Sequence, residues 1–198
     1  MSSHHIVRDD QEPALLLLTD HWRPDFVGNL LEWGPVVLVD AEGLDKVIAN
    51  EFKLDVVIGT KDQLHQSKSI LTYQQPIEFL EKHHYTSLDA LNYLIHSKHK
   101  AVNIFTCAGQ TFFDLLDPFL HQIDIVVFDD NIKWVYCKTN VFKKWYPNDQ
   151  IIYVKEGVQI ELGEKIKAEN SFIKYKLKAE GFLEAQSATS GFWLGETV

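Results

Sequence analysis

Uninterrupted apolar runs, separated by polar and turn-forming segments, are the main pattern in the first part of the chain. Four of them stand out: Ala14–Thr19, Pro35–Asp40, Leu54–Gly59 and Ala101–Cys107. An apolar run without a polar face indicates a strand that is buried on both sides, as in the parallel sheets of α/β proteins. The second and third runs are joined by a segment of helical character, which predicts a βαβ unit. The pattern therefore predicts an N-terminal α/β domain with a parallel, Rossmann-like sheet.

Helices are predicted at other places between these runs and after the last of them. Phe26–Trp33 is a short one that ends before a Gly-Pro pair. Another begins at Thr86 and continues with apolar side chains at helical spacing. A third, Thr111–Gln122, contains Pro118, which lacks the N–H of a helical hydrogen bond, so we expect the helix to be disturbed or restarted there. Ser69–Tyr73 is predicted as one more strand.

The pattern changes after residue 122. Ile123–Phe128 and Ile132–Lys138 flank the turn residues Asp129-Asp130-Asn131, which is typical of a β-hairpin. Turn signals then recur at Pro147-Asn148-Asp149, Lys155-Glu156-Gly157, Leu162-Gly163, Glu180-Gly181 and Ser190-Gly191. Short strands at this spacing predict an antiparallel β-sandwich. We therefore expect two domains, an α/β domain over residues 1–125 and an all-β sandwich over residues 126–198.

Composition and charge argue against several classes of protein. The 198 residues carry a net charge of −9, whereas binding to a nucleic-acid backbone relies on clustered Lys and Arg. No stretch approaches the roughly 18 apolar residues of a membrane span, and the acidic residues before Ala14 are not typical of a signal peptide. Cys107 and Cys137 lie in apolar runs and are expected to be buried, reduced thiols. These features predict a cytoplasmic protein.

Acidic residues follow two of the predicted parallel strands. Asp40 ends one strand, and Asp62 comes shortly after the strand that ends at Gly59. Ligands of open α/β sheets bind outside the carboxyl ends of the strands, so both carboxylates lie where a phosphate-bearing ligand and its metal ion are expected. Each of the two also suits a helix or turn cap, and Thr86–Asp89 and Thr111–Asp114 both fit capping boxes.

Fragments of four short motifs occur in a fixed order along the chain and are followed by the hairpin IDIVVFDDNIKWVYCK. The fragments are Asp40 with Gly43, Gly59 with Asp62, Thr86, and Gly109. In this order and spacing the chain resembles the thiamine pyrophosphokinase family. That family has Asp-Gly-Gly-Ala, Gly-Asp-x-Asp-Ser, Asp-x-Thr-Asp and Gly-Gly-Arg-x-Asp-His at the corresponding places, and a strand–Asp-x-Asn–strand element afterwards. The resemblance covers nearly the whole chain.

The resemblance implies an ATP-binding α/β domain, a β-sandwich that helps to bind thiamine, and a homodimer. It also implies transfer of pyrophosphate from ATP to thiamine with Mg²⁺, which gives thiamine diphosphate, without a nucleic acid or a membrane as partner. Asp40 and Asp62 would be the catalytic residues, and both of them, together with Asp89, would hold the metal ion. The residues that would contact ATP or thiamine are Gly43, Gly59, Thr60, Lys61, Thr86, Gly109 and Ser187.

Several positions depart from the family's motifs. Thr60 stands where the family has an Asp, and Gln110 where it has an Arg, whose paired N–H donors bind phosphate in a way that other side chains do not reproduce. Phe112 and Phe113 replace an Asp-His pair. Three interpretations therefore stay open. The protein is an active enzyme, a non-catalytic protein that binds a nucleotide or thiamine-like ligand as a sensor or carrier, or a dimeric interaction protein without a small ligand.

Overall fold

The structure is a computed structural model, and it describes residues 12–74, 76–161, 163–169, 172–188 and 191–198. It divides into two compact units. Of the described residues, those up to 107 together with 121–124 form the first unit, and those in 108–120 and 125–198 form the second. The predicted division into domains 1–125 and 126–198 stays a prediction.

Five strands of the first unit pair in parallel. They are β1 (Ala14–Leu17), β2 (Val37–Asp40), β3 (Val56–Gly59), β4 (Glu78–Glu81) and β5 (Ala101–Phe105). Their lateral order is β5-β1-β2-β3-β4. Because β1, β2 and β3 are buried along their whole length, their sequences have no polar face, as predicted. The carboxyl ends of the strands lie at one edge of the sheet, called the carboxyl edge below.

Helices connect these strands in turn: α1 (Pro24–Leu31), α2 (Leu44–Ala49), α3 (Lys61–Ile70) and α4 (Thr86–His96). A 3-10 turn, Ala41–Gly43, lies between β2 and α2. None of the described helices has both the length and the apolar character needed to cross a bilayer.

The prediction of a strand at Ser69–Tyr73 is wrong. Ser69 and Ile70 belong to the end of α3, and the strand of this region is β4, which comes later. The helix was not recognised because it is largely polar and buries only Leu64 and Ser67. β4 lies at the edge of the parallel strands and is partly exposed, so it lacks the continuous apolar run that marks its neighbours.

The second unit begins with α5 (Gln110–Leu116), and the following strands are antiparallel. Pro118 stands in a 3-10 turn, Asp117–Phe119, that directly follows α5, so the predicted long helix is divided at the proline. The strands are β6 (Asp124–Asp129), β7 (Ile132–Cys137), β8 (Val141–Tyr146), β9 (Ile151–Lys155), β10 (Gln159–Ile160), β11 (Glu164–Glu169), β12 (Phe172–Lys176), β13 (Gly181–Gln186) and β14 (Phe192–Thr197).

These strands form two groups within the second unit. One has the order β11-β12-β9-β14-β7-β6, and the other has the order β10-β13-β8. The predicted hairpin is β6–β7, and Asp130 in its turn has a positive φ of 52°. The other predicted turns separate strands as expected, although Leu162-Gly163 and Ser190-Gly191 each include a residue outside the described parts of the chain.

Side chains from both groups of strands share an apolar core. Its buried members are Cys137, Tyr146, Ile152, Val154, Val158, Leu177, Leu183, Ala185, Phe192 and Leu194. The thiol of Cys137 is buried in this core, and burial raises its pKa to about 12. Cys107 is exposed because β5 ends at Phe105, so the prediction that both cysteines are buried is wrong for Cys107.

Candidate functional site

Asp40 is the central acidic residue of the carboxyl edge. It ends β2 and is only 6% exposed. Its Oδ1 accepts a hydrogen bond from Glu42 N at 3.0 Å, and its Oδ2 accepts a short one from Thr86 Oγ1. Thr86 is the first residue of α4, is buried, and lies 46 positions further along the chain. Two residues that the motif resemblance assigned to one site are therefore in direct contact.

Lys82 was not among the residues expected from the sequence, yet it contributes a positive charge beside Asp40. It directly follows β4, and its backbone N–H donates to Gly59 O at 2.8 Å, which extends the pairing of β3 and β4. Its Nζ lies 3.9 Å from Asp40 Oδ2. The side chain thus reaches past β3 toward the end of β2. Nothing in the local sequence indicates this, since it depends on the lateral order of the strands.

The segment after β3 is held by a capping box. Thr60 is the N-cap of α3: its Oγ1 accepts from Gln63 N at 3.4 Å, and its own N–H donates to Gln63 Oε1 at 2.8 Å. A Cβ on Gly59 would lie 2.8 Å from the Cβ of Ala41, so glycine is needed where the two strand ends approach each other. Lys61 Nζ lies 3.6 Å from Glu81 Oε1 in an exposed ion pair. Thr60 and Gln63 therefore shape this end of the site.

Asp62 and Asp89 differ from Asp40 in how much of their carboxylate is already in use. Asp62 is exposed in the first turn of α3, and among the described residues it has no hydrogen bond or ion pair. Asp89 Oδ2 accepts from His83 N at 2.9 Å and His84 N at 3.3 Å. It therefore fixes the loop before α4. The predicted Thr86–Asp89 capping box is wrong, because the N-cap is Tyr85 and Thr86 donates to Asp40 instead.

The carboxylates differ in how well they suit Mg²⁺ as ligands. Within the described residues no group of three or more His, Cys, Asp or Glu side chains is placed to hold a metal ion. Mg²⁺ often uses only one or two carboxylates and completes its octahedron with waters and phosphate oxygens, so the exposed carboxylate of Asp62 suits it. Asp40 is less accessible, since it is buried and Lys82 Nζ lies 3.9 Å from its Oδ2.

The remaining glycine candidates lie in turns. Gly43 is buried at the end of the 3-10 turn after β2, and its nearest neighbour is the carbonyl oxygen of Thr19. Gly109 is exposed in the second unit and is the N-cap residue of α5. The predicted Thr111–Asp114 capping box is wrong, because no side chain caps this helix and Asp114 Oδ1 accepts from Gln110 Nε2 at 3.0 Å.

Ser187 follows β13 in the second unit and is buried. Its N–H donates to Asn140 O at 2.8 Å. It lines a cavity of about 240 Å³, which is also lined by Gly157, Gln159, Gln186 and Ala188. The residue is therefore placed beside a space for a small ligand, although none of the described residues that line the cavity is aromatic.

Phe113 occupies a position at which the thiamine pyrophosphokinase motif has histidine, and it packs among aromatic rings. It is 2% exposed, and its ring centroid lies 5.1 Å from that of Trp134, 5.4 Å from Phe172 and 4.9 Å from Trp193. A side chain in this environment has no access to a reacting group. The position that the resemblance aligns with the motif histidine therefore lies in the core of the second unit.

Solved structures resemble the whole chain. Thiamin pyrophosphokinase from Geobacillus thermodenitrificans matches with a TM-score of 0.66 at 10% identity, over 93% of this chain and 97% of that chain. The Bacillus subtilis thiamine pyrophosphokinase gives 0.65 at 13% identity over 93% and 99%, and the Candida albicans enzyme gives 0.69 at 8% over 96% and 90%. The chain has the fold of the thiamin pyrophosphokinases.

The likeness is one of fold, since the identities are only 8–13% in these comparisons. No protein-family model matches the sequence, and no curated protein matches it at a significant level. The predicted fold class is confirmed at the level of a parallel α/β sheet followed by antiparallel strands. Within the thiamin pyrophosphokinase fold, the chemistry depends on which side chains stand at the carboxyl edge.

Proposed function

We propose that this protein is a thiamine pyrophosphokinase-like protein that transfers pyrophosphate from ATP to thiamine and yields thiamine diphosphate. The observation that carries the proposal is the contact between Asp40 and Thr86. Both belong to the motifs of the family, and a direct hydrogen bond joins them at the carboxyl edge. The likeness of fold over 93% of this chain supports the same proposal.

The proposed reaction is an attack of the thiamine hydroxyl oxygen on the β-phosphorus of ATP. The new O–P bond forms as the bond between the β-phosphorus and the oxygen that bridges the α- and β-phosphates breaks. AMP leaves with that oxygen, and the hydroxyl proton passes to a base. When bound, Mg²⁺ neutralises phosphate charge. Asp62 is the residue that would hold it, and its exposed carboxylate is also within reach of solvent to accept a proton. Asp40 holds the backbone N–H of Glu42 and the hydroxyl of Thr86 in place by accepting hydrogen bonds from both.

We assign thiamine to the cavity beside Ser187 and the homodimer to the outer face of β8 and β13. Trp145 and Phe182 are cross-strand neighbours on that face and are 49% and 65% exposed. Exposed aromatic pairs of this kind are frequent in interfaces between protein chains. The proposal further places the reaction in the cytoplasm.

A second candidate is a protein that binds the nucleotide or a thiamine-like ligand without turnover. Two observations favour it. Thr60 stands at a carboxylate position of the motif and serves as a helix cap, and Phe113 is buried where the motif has histidine. Losses of this kind remove transition-state stabilisation while the fold and its ligand cavities persist.

The test is formation of thiamine diphosphate by the purified full-length protein from ATP, Mg²⁺ and thiamine. We expect product, and we expect Asp62→Ala to lower the rate by about a hundredfold, because removal of one group that stabilises transition-state charge has effects of that order. Asp25→Ala is the matched control, since Asp25 is an exposed acidic residue in the first turn of another helix, α1. Its rate should equal that of the unmodified protein.

Two other outcomes would overturn the proposal that the protein is an enzyme. Without product, a rise in melting temperature with ATP or thiamine would establish the ligand-binding protein, since a ligand selective for the native state must stabilise it. If a folded dimer gave no product and no rise in melting temperature with either ligand, the protein would be interpreted as a dimeric interaction protein.

A further inference from the structure

A cavity of about 310 Å³ lies at the edge of the parallel sheet opposite the carboxyl edge, called the amino edge below. Two of its lining residues stand where strands begin: Pro13 directly precedes β1, and Pro35 comes shortly before β2. The volume is at the lower end of the range for small-molecule sites, which is about 300–1,000 Å³. All of its described lining residues belong to the first unit, and Asp40 and Asp62 are not among them.

The wall of this amino-edge cavity is mainly apolar and is built from β1, β5 and α1. Leu15 and Asn103 are partners in the parallel pairing of β1 and β5, so their side chains lie on the same face of the sheet. Leu30 lines the cavity from the last turn of α1. Trp33 follows this helix and is 67% exposed. An indole ring that lines a cavity and is open to solvent can pack against the ring of a ligand.

Two polar side chains, those of Glu12 and Asn103, line the same cavity and have unused acceptors. Glu12 is partly buried, and its carboxylate makes no ion pair or hydrogen bond with any described residue. Asn103 is the polar residue of the otherwise apolar strand β5 and is also partly buried. Its side-chain amide makes no hydrogen bond within the described parts of the chain. Because a partly buried polar group without a partner costs free energy, both side chains are suited to bind a ligand.

The charge around the amino-edge cavity is negative. None of its described lining residues is Lys, Arg or His, whereas Glu12 contributes a carboxylate. The C-terminal end of a helix carries partial negative charge, which a cation stabilises. The last turn of α1 has no basic residue, and the C-cap residue is Glu32. These groups favour a positively charged ligand and disfavour an anion such as a phosphate.

We propose that the amino-edge cavity binds a small aromatic ammonium ion. Glu12 and Asn103 bind the ammonium group through a carboxylate and an amide oxygen, and Trp33 packs against the rest of the ligand. An ammonium group has donors and no acceptor, so it matches these two acceptors. The inference goes beyond the proposed function and does not rest on it, because Asp40 and Asp62 lie at the opposite edge of the sheet.

The experiment is a titration of the full-length protein with phenethylamine, followed by the indole N–H signals of its five tryptophans in nuclear magnetic resonance spectra. The variant Trp33→Phe identifies the signal of Trp33. We expect phenethylamine to shift that signal with a dissociation constant in the millimolar range, as is usual for a ligand of so few atoms. Phenethyl alcohol has the same ring and chain without the charge, and it should bind at least about tenfold more weakly.

Substitutions of the two polar residues test their roles separately. Glu12→Gln should lower the affinity for phenethylamine about tenfold, because the amide keeps the shape of the side chain and removes its charge. Asn103→Leu should lower it about fivefold, since a neutral acceptor contributes less than a charged one. Asp25→Asn is the matched control, because Asp25 is an exposed acidic residue at the other end of α1, and its affinity should be unchanged. Melting temperatures verify that each variant is folded.

Any of four results would overturn the inference. They are no shift of the Trp33 signal at millimolar phenethylamine, a shift confined to other tryptophans, equal affinity for phenethyl alcohol, and unchanged affinity in a folded Glu12→Gln. The assay for thiamine diphosphate is independent of them, and Glu12→Gln should keep the rate of the unmodified protein. Phenethylamine binding that depends on Glu12, without any product, would keep this inference and reject the enzyme.

Discussion

Asp40 in the first unit and Glu196 in the second are both buried carboxylates with a lysine nearby, and they use that lysine differently. They are 6% and 7% exposed. Glu196 Oε2 accepts from Lys144 Nζ at 2.7 Å and from Tyr146 Oη at 2.6 Å. The lysine beside Asp40 stays at 3.9 Å and makes no hydrogen bond to it.

The contacts of Glu196 fix its charge. Burial opposes its ionisation, but the hydrogen bonds from Lys144 and Tyr146, together with the charges of Lys144 and Lys133, outweigh burial and lower the pKa of Glu196. Burial and the bond to Glu196 raise the pKa of the Tyr146 hydroxyl. Lys144 and Tyr146 both donate to Glu196, and Lys133 Nζ adds a positive charge 3.8 Å from Glu196 Oε1. The comparison teaches that a buried carboxylate can bind a lysine of the chain directly, as Glu196 binds Lys144, or leave the neighbouring lysine unbound, as Asp40 does.

We expect the largest effect on stability from a substitution of Phe113, which lies in the aromatic cluster of the second unit. Phe113→Ala should lower the free energy of unfolding by about 4 kcal/mol, because truncation of a buried phenylalanine leaves a cavity among rigid rings. Urea denaturation followed by tryptophan fluorescence measures the change, since Trp134 and Trp193 line the same cluster.

Phe112 provides the control for that prediction. It lies in the same helix and is only partly buried, so Phe112→Ala should cost clearly less. Equal costs for the two variants would mean that Phe113 is not the centre of the cluster. The interpretation that its motif position has become structural would then fail.

The parts of the fold that follow from the sequence are those in which local pattern and environment agree. β1, β2, β3 and β5 were expected because strands of a parallel sheet are covered on both faces and read as apolar runs. The β6–β7 hairpin was expected because its turn residues lie between two strand-like runs.

The rest depends on contacts between distant residues. Thr86 and Asp89 fit a capping box by spacing, but Thr86 contacts Asp40 and Asp89 binds the loop before α4. Lys82 gave no signal, because it reaches Asp40 only through the lateral order of β2, β3 and β4. The sequence thus predicted the edge at which the candidate site lies, and it missed the positive charge that most changes its chemistry.

The group around Glu196 predicts a particular dependence of stability on pH. A carboxyl group whose pKa is lowered in the folded state, from an ordinary value of 4.5, stabilises the fold above that value. This contribution decreases as the pH falls below about 4.5 and through the lowered pKa. Glu196→Gln should lower the free energy of unfolding by about 2 kcal/mol at pH 7 and should flatten its fall between about pH 5 and pH 3.

Denaturation by urea at several pH values measures both effects. Glu184→Gln is the matched control, because Glu184 pairs with Lys143 at 3.6 Å on the surface and is 44% exposed. Surface pairs contribute little, so this variant should keep the acid dependence of the unmodified protein. If the free energy of unfolding of Glu196→Gln fell with pH as it does in the unmodified protein, Lys144 and Tyr146 would not hold the carboxylate in solution.

Asp40→Asn should have the smallest effect on stability of the three substitutions, and it tests the comparison most directly. An asparagine side chain keeps the size of the residue and an oxygen acceptor, so we expect a loss of about 1 kcal/mol in the free energy of unfolding. The rate of thiamine diphosphate formation should nevertheless fall, because the substitution removes the charge of a proposed catalytic carboxylate. If Asp40→Asn instead destabilises the fold as much as Glu196→Gln and leaves that rate unchanged, the two carboxylates are equivalent structural groups. In that case the site at the carboxyl edge must be sought around Asp62 alone.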